Sequence, residues 1–315
     1  MSARPDGQAA VEAAVLTHPG RQRTTNQDAV GYRVKNTFGV FVVADGMGGH
    51  RTGELASRMA VKNIVDVVRE EEPSPSLLLD AFEEANDAIY IAGQRPESRG
   101  MGTTATALAL NLPYAIIAHV GDSRAYLLRD GVLTQLTQDH SWVAERLRQG
   151  LLTPAEARNH RWRNVITNAL GSFPEARADL IGLKVQPGDR FLLCSDGLSG
   201  VLEDSVLQEI LEELPPGKAV ERLVKLANEW GGPDNISAIV VVINNIPPEK
   251  PPPAWALPLE SGEPVVLALG QEDGAAASEV LEASKPHTFW SRWRDIIFLV
   301  VYISLLLYVL LFNKR

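Results

Sequence analysis

The stretch at residues 41–50, FVVADGMGGH, ends an apolar run suited to a buried strand with Asp45 and then places glycine at three of the next four positions. An unpaired carboxylate is costly at the end of a buried strand. A bound cation would offset that cost, and glycine, which has no Cβ, lets ligands and backbone carbonyls approach closely. The stretch therefore predicts a strand that ends at a cation site.

The same pattern recurs along the chain. HVGDS (119–123) and LLCSDG (192–197) also bring an apolar run to an aspartate, and GGPDN (231–235) places Asp234 just before the last apolar run. Oxygen ligands without a His or Cys cluster favour the hard cations Mg²⁺ or Mn²⁺ over zinc. A single Asp-Gly is more often a turn, as we expect at Asp130-Gly131. The repeated pattern favours convergence of the other acids at one site.

The composition fits a globular protein, because 45% of the 315 residues are hydrophobic and 22% are charged. The 39 Asp and Glu residues exceed the 30 Lys and Arg residues, and the net charge of −9 argues against nucleic acid as a partner. Cys194 is the one cysteine, so no intramolecular disulfide is expected, and the first residues do not resemble a signal peptide. We expect the main domain to be cytoplasmic.

Strand-like and helix-like segments are mixed between residues 9 and 246, which we predict to form one domain. Continuous apolar runs predict strands over 38–44, 103–110, 114–120, 124–128, 191–195 and 236–243. Amphipathic spacing predicts helices over 53–70, 77–91 and 219–230. A predicted hairpin at 126–137 makes at least part of the sheet antiparallel, so the pattern favours an α+β fold over a doubly wound parallel sheet.

The C-terminal part of the chain differs in composition. Residues 247–288 are rich in proline, alanine and acid, and they are predicted as a linker. Residues 296–312 are apolar throughout, and as a helix they would be about 26 Å long, which barely spans a bilayer core of about 30 Å. Tryptophan and basic residues flank this run. We predict a single transmembrane helix; a buried core helix or an oligomerisation helix is the alternative.

Eight motifs, in order along the chain, resemble those of a known family. They are RTTNQD (23–28), VADGMGGH (43–50), MGTTATA (101–107), GDSR (121–124), DHS (139–141), RNVITNALG (163–171), CSDGLSG (194–200) and PDN (233–235). The set is similar to the metal-dependent protein serine/threonine phosphatases, the PPM or type 2C family, in its bacterial form. The resemblance implies a four-layer α/β/β/α sandwich of two mainly antiparallel sheets, with a flap over about residues 140–180. It also implies two Mn²⁺ or Mg²⁺ ions at one end of the sandwich.

The resemblance implies metal-binding roles for individual residues. Asp45 would bridge the two ions, and the backbone carbonyl of Gly46 would bind one of them. Asp196 and Asp234 would hold the other ion. Asp122, together with Asp196, would form a weaker third site.

Two further residues complete the implied site. Asp28 would orient a water molecule beside the ions, and Arg23 would bind the substrate phosphate, because a guanidinium fork matches phosphoryl oxygens. The implied reaction is direct attack on phosphorus by a hydroxide that the ions share, without a covalent intermediate. Arg23 would act in it together with Asp45, Asp196 and Asp234.

The chain departs from the family pattern at one position of consequence. Met47 stands where many relatives have a histidine that protonates the leaving oxygen, which leaves His50 or a water molecule as alternatives. In the flap, Arg158, Arg161 and Arg163 either contact an acidic or phosphorylated substrate or form a solvated face. Both interpretations stay open.

The expected function is removal of phosphate from phosphoserine and phosphothreonine in cytoplasmic proteins at the cell membrane, opposing a Ser/Thr kinase. A cysteine phosphatase is excluded because Gly200, not arginine, stands six residues after Cys194, and no P-loop is present. The alternative from another class is a catalytically inactive relative that binds phosphoproteins or acts as a scaffold.

Overall fold

The computed structural model describes residues 9–35, 38–49, 51–67, 72–248 and 251–268. In these residues the chain forms twelve strands, which are β1 (Val11–His18), β2 (Asp28–Lys35), β3 (Phe38–Met47), β4 (Gly102–Thr103), β5 (Ala105–Asn111), β6 (Tyr114–Val120), β7 (Arg124–Arg129), β8 (Val132–Gln135), β9 (Asp179–Lys184), β10 (Arg190–Cys194), β11 (Ile236–Ile243) and β12 (Val265–Ala268). The α-helices in the same residues are α1 (Thr52–Val67), α2 (Pro75–Gly93), α3 (Trp142–Arg148), α4 (Pro154–Asn159), α5 (Asp196–Ser199), α6 (Asp204–Glu213) and α7 (Pro216–Glu229). Two 3₁₀ helices cover Pro96–Ser98 and Ala254–Ser261.

The strands form two sheets. The five-stranded sheet has the order β1-β11-β10-β7-β8, and the seven-stranded sheet has the order β12-β9-β6-β5-β3-β2, with β4 paired to the end of β3. Every pairing in both sheets is antiparallel. The α+β prediction is therefore confirmed, and the sheets are antiparallel throughout the described residues.

Side-chain alternation along β3 shows how the layers stack. Val40 and Val42 pack with residues of α1 and α2, whereas Phe41 and Val43 pack between the two sheets. Because successive side chains of a strand point to opposite faces, a strand between two packed layers must be apolar at every position. A third apolar cluster joins the outer face of the five-stranded sheet to α6 and α7. These three cores give the four-layer α/β/β/α sandwich.

The β7–β8 hairpin settles the role of the Asp-Gly pair that we predicted as a turn. Arg129 pairs with Val132, which leaves Asp130 and Gly131 as a two-residue loop. Both loop residues have positive φ angles, 51° at Asp130 and 73° at Gly131, as a type I′ turn requires. Asp130 therefore lies in a hairpin turn and is not part of the acidic site.

The segment 254–268 corrects the predicted domain boundary at residue 246. The chain forms a 3₁₀ helix at Ala254–Ser261, and β12 then pairs with β9 as an additional edge strand. Trp255 packs edge-on against Tyr114 with ring centroids 5.6 Å apart. A Cβ at Gly182 would come within 2.9 Å of Leu259 and 2.8 Å of Leu267, so this glycine makes room for the extension.

The linker prediction is therefore wrong over residues 254–268, because the overall composition of 247–288, rich in proline, alanine and acid, obscured a short packed segment. The rest of the predicted linker, from residue 269, and the helix predicted at 296–312 lie outside the described residues. Within the described ranges, no helix combines the length and the apolar character needed to cross a membrane.

Ending the chain at residue 246 instead of 268 is expected to destabilise the domain. Trp255, Leu259 and Leu267 are buried, and loss of three large apolar side chains costs at least about 5 kcal/mol. We therefore expect the 1–246 fragment to melt roughly 10 °C or more below the 1–268 fragment, by calorimetry on both. Equal melting temperatures would show that the extension does not stabilise the sandwich.

Candidate metal centre and active site

The ends of strands from both sheets bring the predicted acids together. In the seven-stranded sheet, the antiparallel register of β2 and β3 places Asp28 directly opposite Asp45. In the five-stranded sheet, Asp196 follows β10 and Asp234 precedes the neighbouring strand β11. The fold therefore presents carboxylates from four strand ends at one end of the sandwich.

Asp28 joins the two sheets at this end. Its Oδ2 accepts hydrogen bonds from the hydroxyls of Ser195 and Ser237, each at 2.7 Å. Ser195 also accepts a hydrogen bond from the backbone N–H of Ser237 at 3.0 Å. The Oδ1 atom of Asp28 is buried and has no hydrogen-bond partner. Asp28 is thus fixed through one oxygen, which leaves the other for a ligand.

Backbone contacts fix the position of Asp45. Its N–H donates to Thr104 Oγ1 at 2.8 Å, and its carbonyl accepts from the hydroxyl of Thr103 at 2.9 Å. The N–H of Thr104 donates to the same carbonyl at 2.9 Å. The side chain of Asp45 therefore extends from a backbone that is fixed by three hydrogen bonds.

Burial and neighbouring carboxyl groups raise the pKa of four acids of the cluster, which are Asp28, Asp45, Asp122 and Asp196. Burial first, and then the charges of Asp28, Asp196, Asp122 and Asp234, raise the pKa of Asp45 well above its usual range. Burial chiefly raises the pKa of Asp28 to about 7 and that of Asp122 to about 8. Burial and like charge thus both disfavour the ionised form of these four acids in the absence of a cation.

The donor set fits hard divalent cations. All the groups supply oxygen, and Oδ1 of Asp196, like that of Asp28, is buried without a hydrogen-bond partner. Among the described residues, no three side chains of Asp, Glu, His or Cys are arranged closely enough to coordinate one metal ion. The carboxylate of Asp234 instead accepts hydrogen bonds from Arg23 and from the N–H of Asn235. Cations would offset the repulsion among the acids and satisfy the free oxygens.

Arg23 lies at the exposed edge of this cluster. Its Nη2 donates to Asp234 Oδ2 at 2.7 Å, and 51% of its side chain is exposed. The neighbouring Asn235 fixes the segment that carries Arg23 through contacts with three of its backbone atoms: Pro19 O at 2.9 Å, Thr25 O at 2.9 Å and Gln27 N at 2.8 Å. A guanidinium is thus held beside the acids yet open to a phosphate from solvent.

Gly46 lies where no other residue fits. A Cβ there would be 2.0 Å from the carbonyl oxygen of Gly53 and 2.8 Å from that of Gln27. The N–H of Gly46 also donates to the Gln27 carbonyl at 3.1 Å. The glycine after Asp45 therefore allows α1 and the segment before β2 to close on the acidic cluster.

The loop that carries Asp122 is fixed by His140. The His140 N–H donates to the carbonyl of Gly121 at 2.7 Å, and the N–H of Gly121 donates to His140 Nδ1 at 3.1 Å. The other ring nitrogen of His140 contacts Asp179 Oδ2 at 3.0 Å. Since Nδ1 accepts, Nε2 carries the proton that it donates to Asp179, and this orients the ring.

The structure brings together most of the predicted site. Asp28, Asp45, Asp122, Asp196 and Asp234 form the cluster, with Arg23 and Gly46 beside it. His50, the alternative proton donor, lies outside the described residues. The residues that sequence reasoning missed as contributors are Ser195, Ser237 and Asn235. In the sequence, the one indication of their role is that each lies within three residues of a predicted ligand.

The raised pKa values predict an unusual pH dependence for the metal-free protein. Asp28 and Asp122 keep their protons in the fold up to about pH 7 and about pH 8, whereas an unfolded aspartate loses its proton near 3.8. The folded state then binds more protons, so stability falls as pH rises through this interval. We expect the melting temperature in chelator to fall between about pH 5 and about pH 8. A melting temperature that stays level or rises would contradict the carboxylate cluster.

Comparisons with known proteins agree with this site and fold. The sequence profile described as Protein phosphatase 2C matches residues 18–228. Protein phosphatase PhpP of Streptococcus pneumoniae is 39% identical over 74% of this chain and 98% of its own length. The serine/threonine phosphatase of S. agalactiae superposes with a TM-score of 0.71 at 35% identity, over 74% of this chain and 100% of that one.

A third similar protein was solved with its metals. The catalytic domain of the serine/threonine protein phosphatase PstP, in complex with 2 manganese ions, gives a TM-score of 0.68 at 34% identity. The match covers 75% of this chain and 99% of that chain. The fold and the site thus define a metal-dependent protein phosphatase. The chain belongs to the protein phosphatase 2C family, whose members similar to it are protein serine/threonine phosphatases.

Proposed function

We propose that this protein removes phosphate from phosphoserine and phosphothreonine in other proteins, with two Mn²⁺ or Mg²⁺ ions and a weaker third ion as cofactors. The observation that carries the proposal is the cluster of five carboxyl groups, with free buried oxygens on Asp28 and Asp196, beside a half-exposed arginine. Anionic oxygen ligands and a neighbouring guanidinium match what a phosphoryl group and its counter-ions need.

Each residue of the site has its own proposed role. Asp45 and Gly46 on one sheet, and Asp196 and Asp234 on the other, would hold the two ions, and Asp122 would join Asp196 at the third. The ions supply acidification of a water molecule and neutralisation of phosphoryl charge. Asp28 is fixed by two serine hydroxyls through Oδ2, so its Oδ1 can accept a proton from that water molecule.

Arg23 acts on the substrate. Its exposed guanidinium can leave Asp234 when an ion takes that carboxylate, and it then offers two parallel N–H groups to the phosphoryl oxygens. Because Asn235 anchors the segment on both sides of Arg23, the guanidinium keeps its place beside the reacting phosphorus. This positioning favours attack by water over non-productive binding.

An inactive binding protein or scaffold is not favoured. Such a protein needs no ligands for catalytic ions, yet every side chain predicted as a ligand is an acid, and all of these acids converge. A direct test uses phosphoserine, phosphothreonine and phosphotyrosine peptides of one sequence with Mn²⁺. We expect hydrolysis of the first two; tight binding without release of phosphate would favour the scaffold instead.

We also propose that residues 296–312 anchor the protein in the cell membrane, with the phosphatase domain in the cytoplasm opposite a Ser/Thr kinase. The support is the apolar run with tryptophan and basic residues on its flanks. The full chain is then expected in the membrane fraction after high-salt and carbonate washes, and a chain ending at 268 in the soluble fraction. A full chain that washes off would refute the anchor.

A further inference from the structure

The segment between β8 and β9 carries a concentrated positive charge. Of the predicted flap over about residues 140–180, we consider residues 140–169, which include α3 and α4, and call them the flap from here on. Five arginines occur in it, without lysine or aspartate, in a chain whose net charge is −9. Its two glutamates are already used locally, since Glu145 accepts from the Thr167 hydroxyl and Glu156 caps α4 at Thr153. Five arginines against these two glutamates give the flap a net charge of +3.

Three of the flap arginines are available to a ligand. Arg158, Arg161 and Arg163 are exposed, and within the described part of the chain none of them forms an ion pair. The same segment exposes three large apolar side chains, which are Leu147, Leu151 and Trp162. A surface that mixes free guanidinium groups with apolar side chains is typical of a protein-binding site.

An aromatic cluster braces this surface. Trp142 stacks on His160 with centroids 4.8 Å apart and meets Trp162 edge-on at 4.7 Å. The guanidinium of Arg161 lies 4.5 Å from the centre of the Trp162 ring, and that of Arg146 lies 5.2 Å from Trp142. A guanidinium held on a ring face keeps its N–H edges for carboxylates. Less side-chain entropy is then lost on binding.

Both ends of the flap are attached to the backbone of the metal centre. At its start, His140 exchanges two hydrogen bonds with Gly121, the residue before Asp122. Just past its end, Leu170 exchanges two backbone hydrogen bonds, at 3.0 Å and 2.9 Å, with Thr103, which holds Asp45. The flap therefore starts and ends beside the backbone that carries Asp122 and Asp45, so both of its attachment points lie close to where the phosphate of a substrate would bind.

We propose that the flap selects protein substrates in which acidic residues flank the phosphorylated serine or threonine. The inference rests on the proposed phosphatase function and adds the class of substrate. Each carboxylate of the substrate meets one of Arg158, Arg161 and Arg163, and the apolar residues of the flap cover the peptide between them. Charge complementarity favours this partner, because the flap carries five arginines against two glutamates in a chain whose net charge is −9.

The test compares kcat/KM for two phosphothreonine peptides of equal length, one flanked by glutamates and one by lysines. Each exposed pair contributes roughly twofold, so three pairs give a preference of about tenfold for the acidic peptide, mainly through KM. In the triple variant R158Q/R161Q/R163Q we expect the preference to disappear. The rate on p-nitrophenyl phosphate, which has no flanking residues, should stay within about twofold.

A matched control removes the same charge elsewhere. The variant K218Q/R222Q/K225Q removes three positive charges from α7, which packs on the five-stranded sheet. This variant should retain the preference for the acidic peptide. A wild-type protein that hydrolyses both peptides equally overturns the inference alone, whereas one that hydrolyses no substrate overturns the proposed function with it. If the triple variant keeps the preference but loses binding to phosphatidylserine vesicles, the flap binds lipid and the inference is wrong.

Discussion

Replacing Asp45 by asparagine is expected to lower kcat by about a thousandfold, the equivalent of about 4 kcal/mol of transition-state stabilisation. Asparagine keeps the shape of the side chain and leaves the backbone contacts with Thr103 and Thr104 in place. It removes one negative charge from the centre of the acidic cluster, so the cations bind less tightly and acidify water less. Steady-state kinetics at saturating Mn²⁺ and calorimetric metal titration measure both effects.

The same substitution is expected to raise the melting temperature of the metal-free protein. Burial and four neighbouring acids disfavour a charge on Asp45, and a neutral side chain relieves that penalty. A variant that loses activity but melts at a higher temperature is correctly folded, so its loss of activity is caused by the change in the site.

Asp130→Asn is the matched control for Asp45→Asn. Asp130 occupies a type I′ turn with φ of 51°, a conformation that asparagine adopts at least as readily. Activity and melting temperature should both stay close to those of the wild type. If the two variants lost activity equally and mildly, the Asp-Gly at residue 45 would be no more than a turn.

Gly46→Ala is expected to lower kcat/KM by about a hundredfold or more, because a shift of about 1 Å in a catalytic group is enough to do so. The added methyl group would lie 2.0 Å from the carbonyl oxygen of Gly53, a backbone atom that cannot move without α1. Overpacking of this kind also costs about 1–3 kcal/mol of stability. The variant should therefore be less active and should melt at a lower temperature.

Gly217→Ala provides the comparison for a glycine without such constraints. This residue lies in the first turn of α7, and a Cβ there would meet no atom within 4 Å. Alanine is then expected to stabilise the protein by roughly 0.5–1 kcal/mol and to leave activity unchanged. Similar behaviour of the two glycine variants would contradict the close packing assigned to Gly46.

The acids of the cluster were predictable from sequence because their signal is local. Each of these aspartates follows or precedes an apolar run, and fully apolar strands leave few places where an unpaired carboxylate is tolerated. Strands β3 and β11 are buried on both faces, and in the sequence each is a nearly continuous apolar run. Family resemblance then assigned roles that spacing alone could not.

The supporting contacts were not predictable in this way. Ser195 and Ser237 reach Asp28 from positions 167 and 209 residues away, and the contact depends on how the two sheets stack. Strands β1, β2 and β9 were missed because the first two are only partly buried and the third is short and contains Gly182. Strand β12 was assigned to a linker because its place is set by packing on β9, not by its own four residues.

The central claim is that carboxylates from both sheets hold the cations on which the reaction depends. The most direct measurement removes all metal with chelator, assays a phosphothreonine peptide, and then returns Mn²⁺ in steps while its binding is followed by calorimetry. We expect no turnover in chelator, and recovery of activity in step with Mn²⁺ occupancy. Turnover that survives complete chelation would contradict the claim.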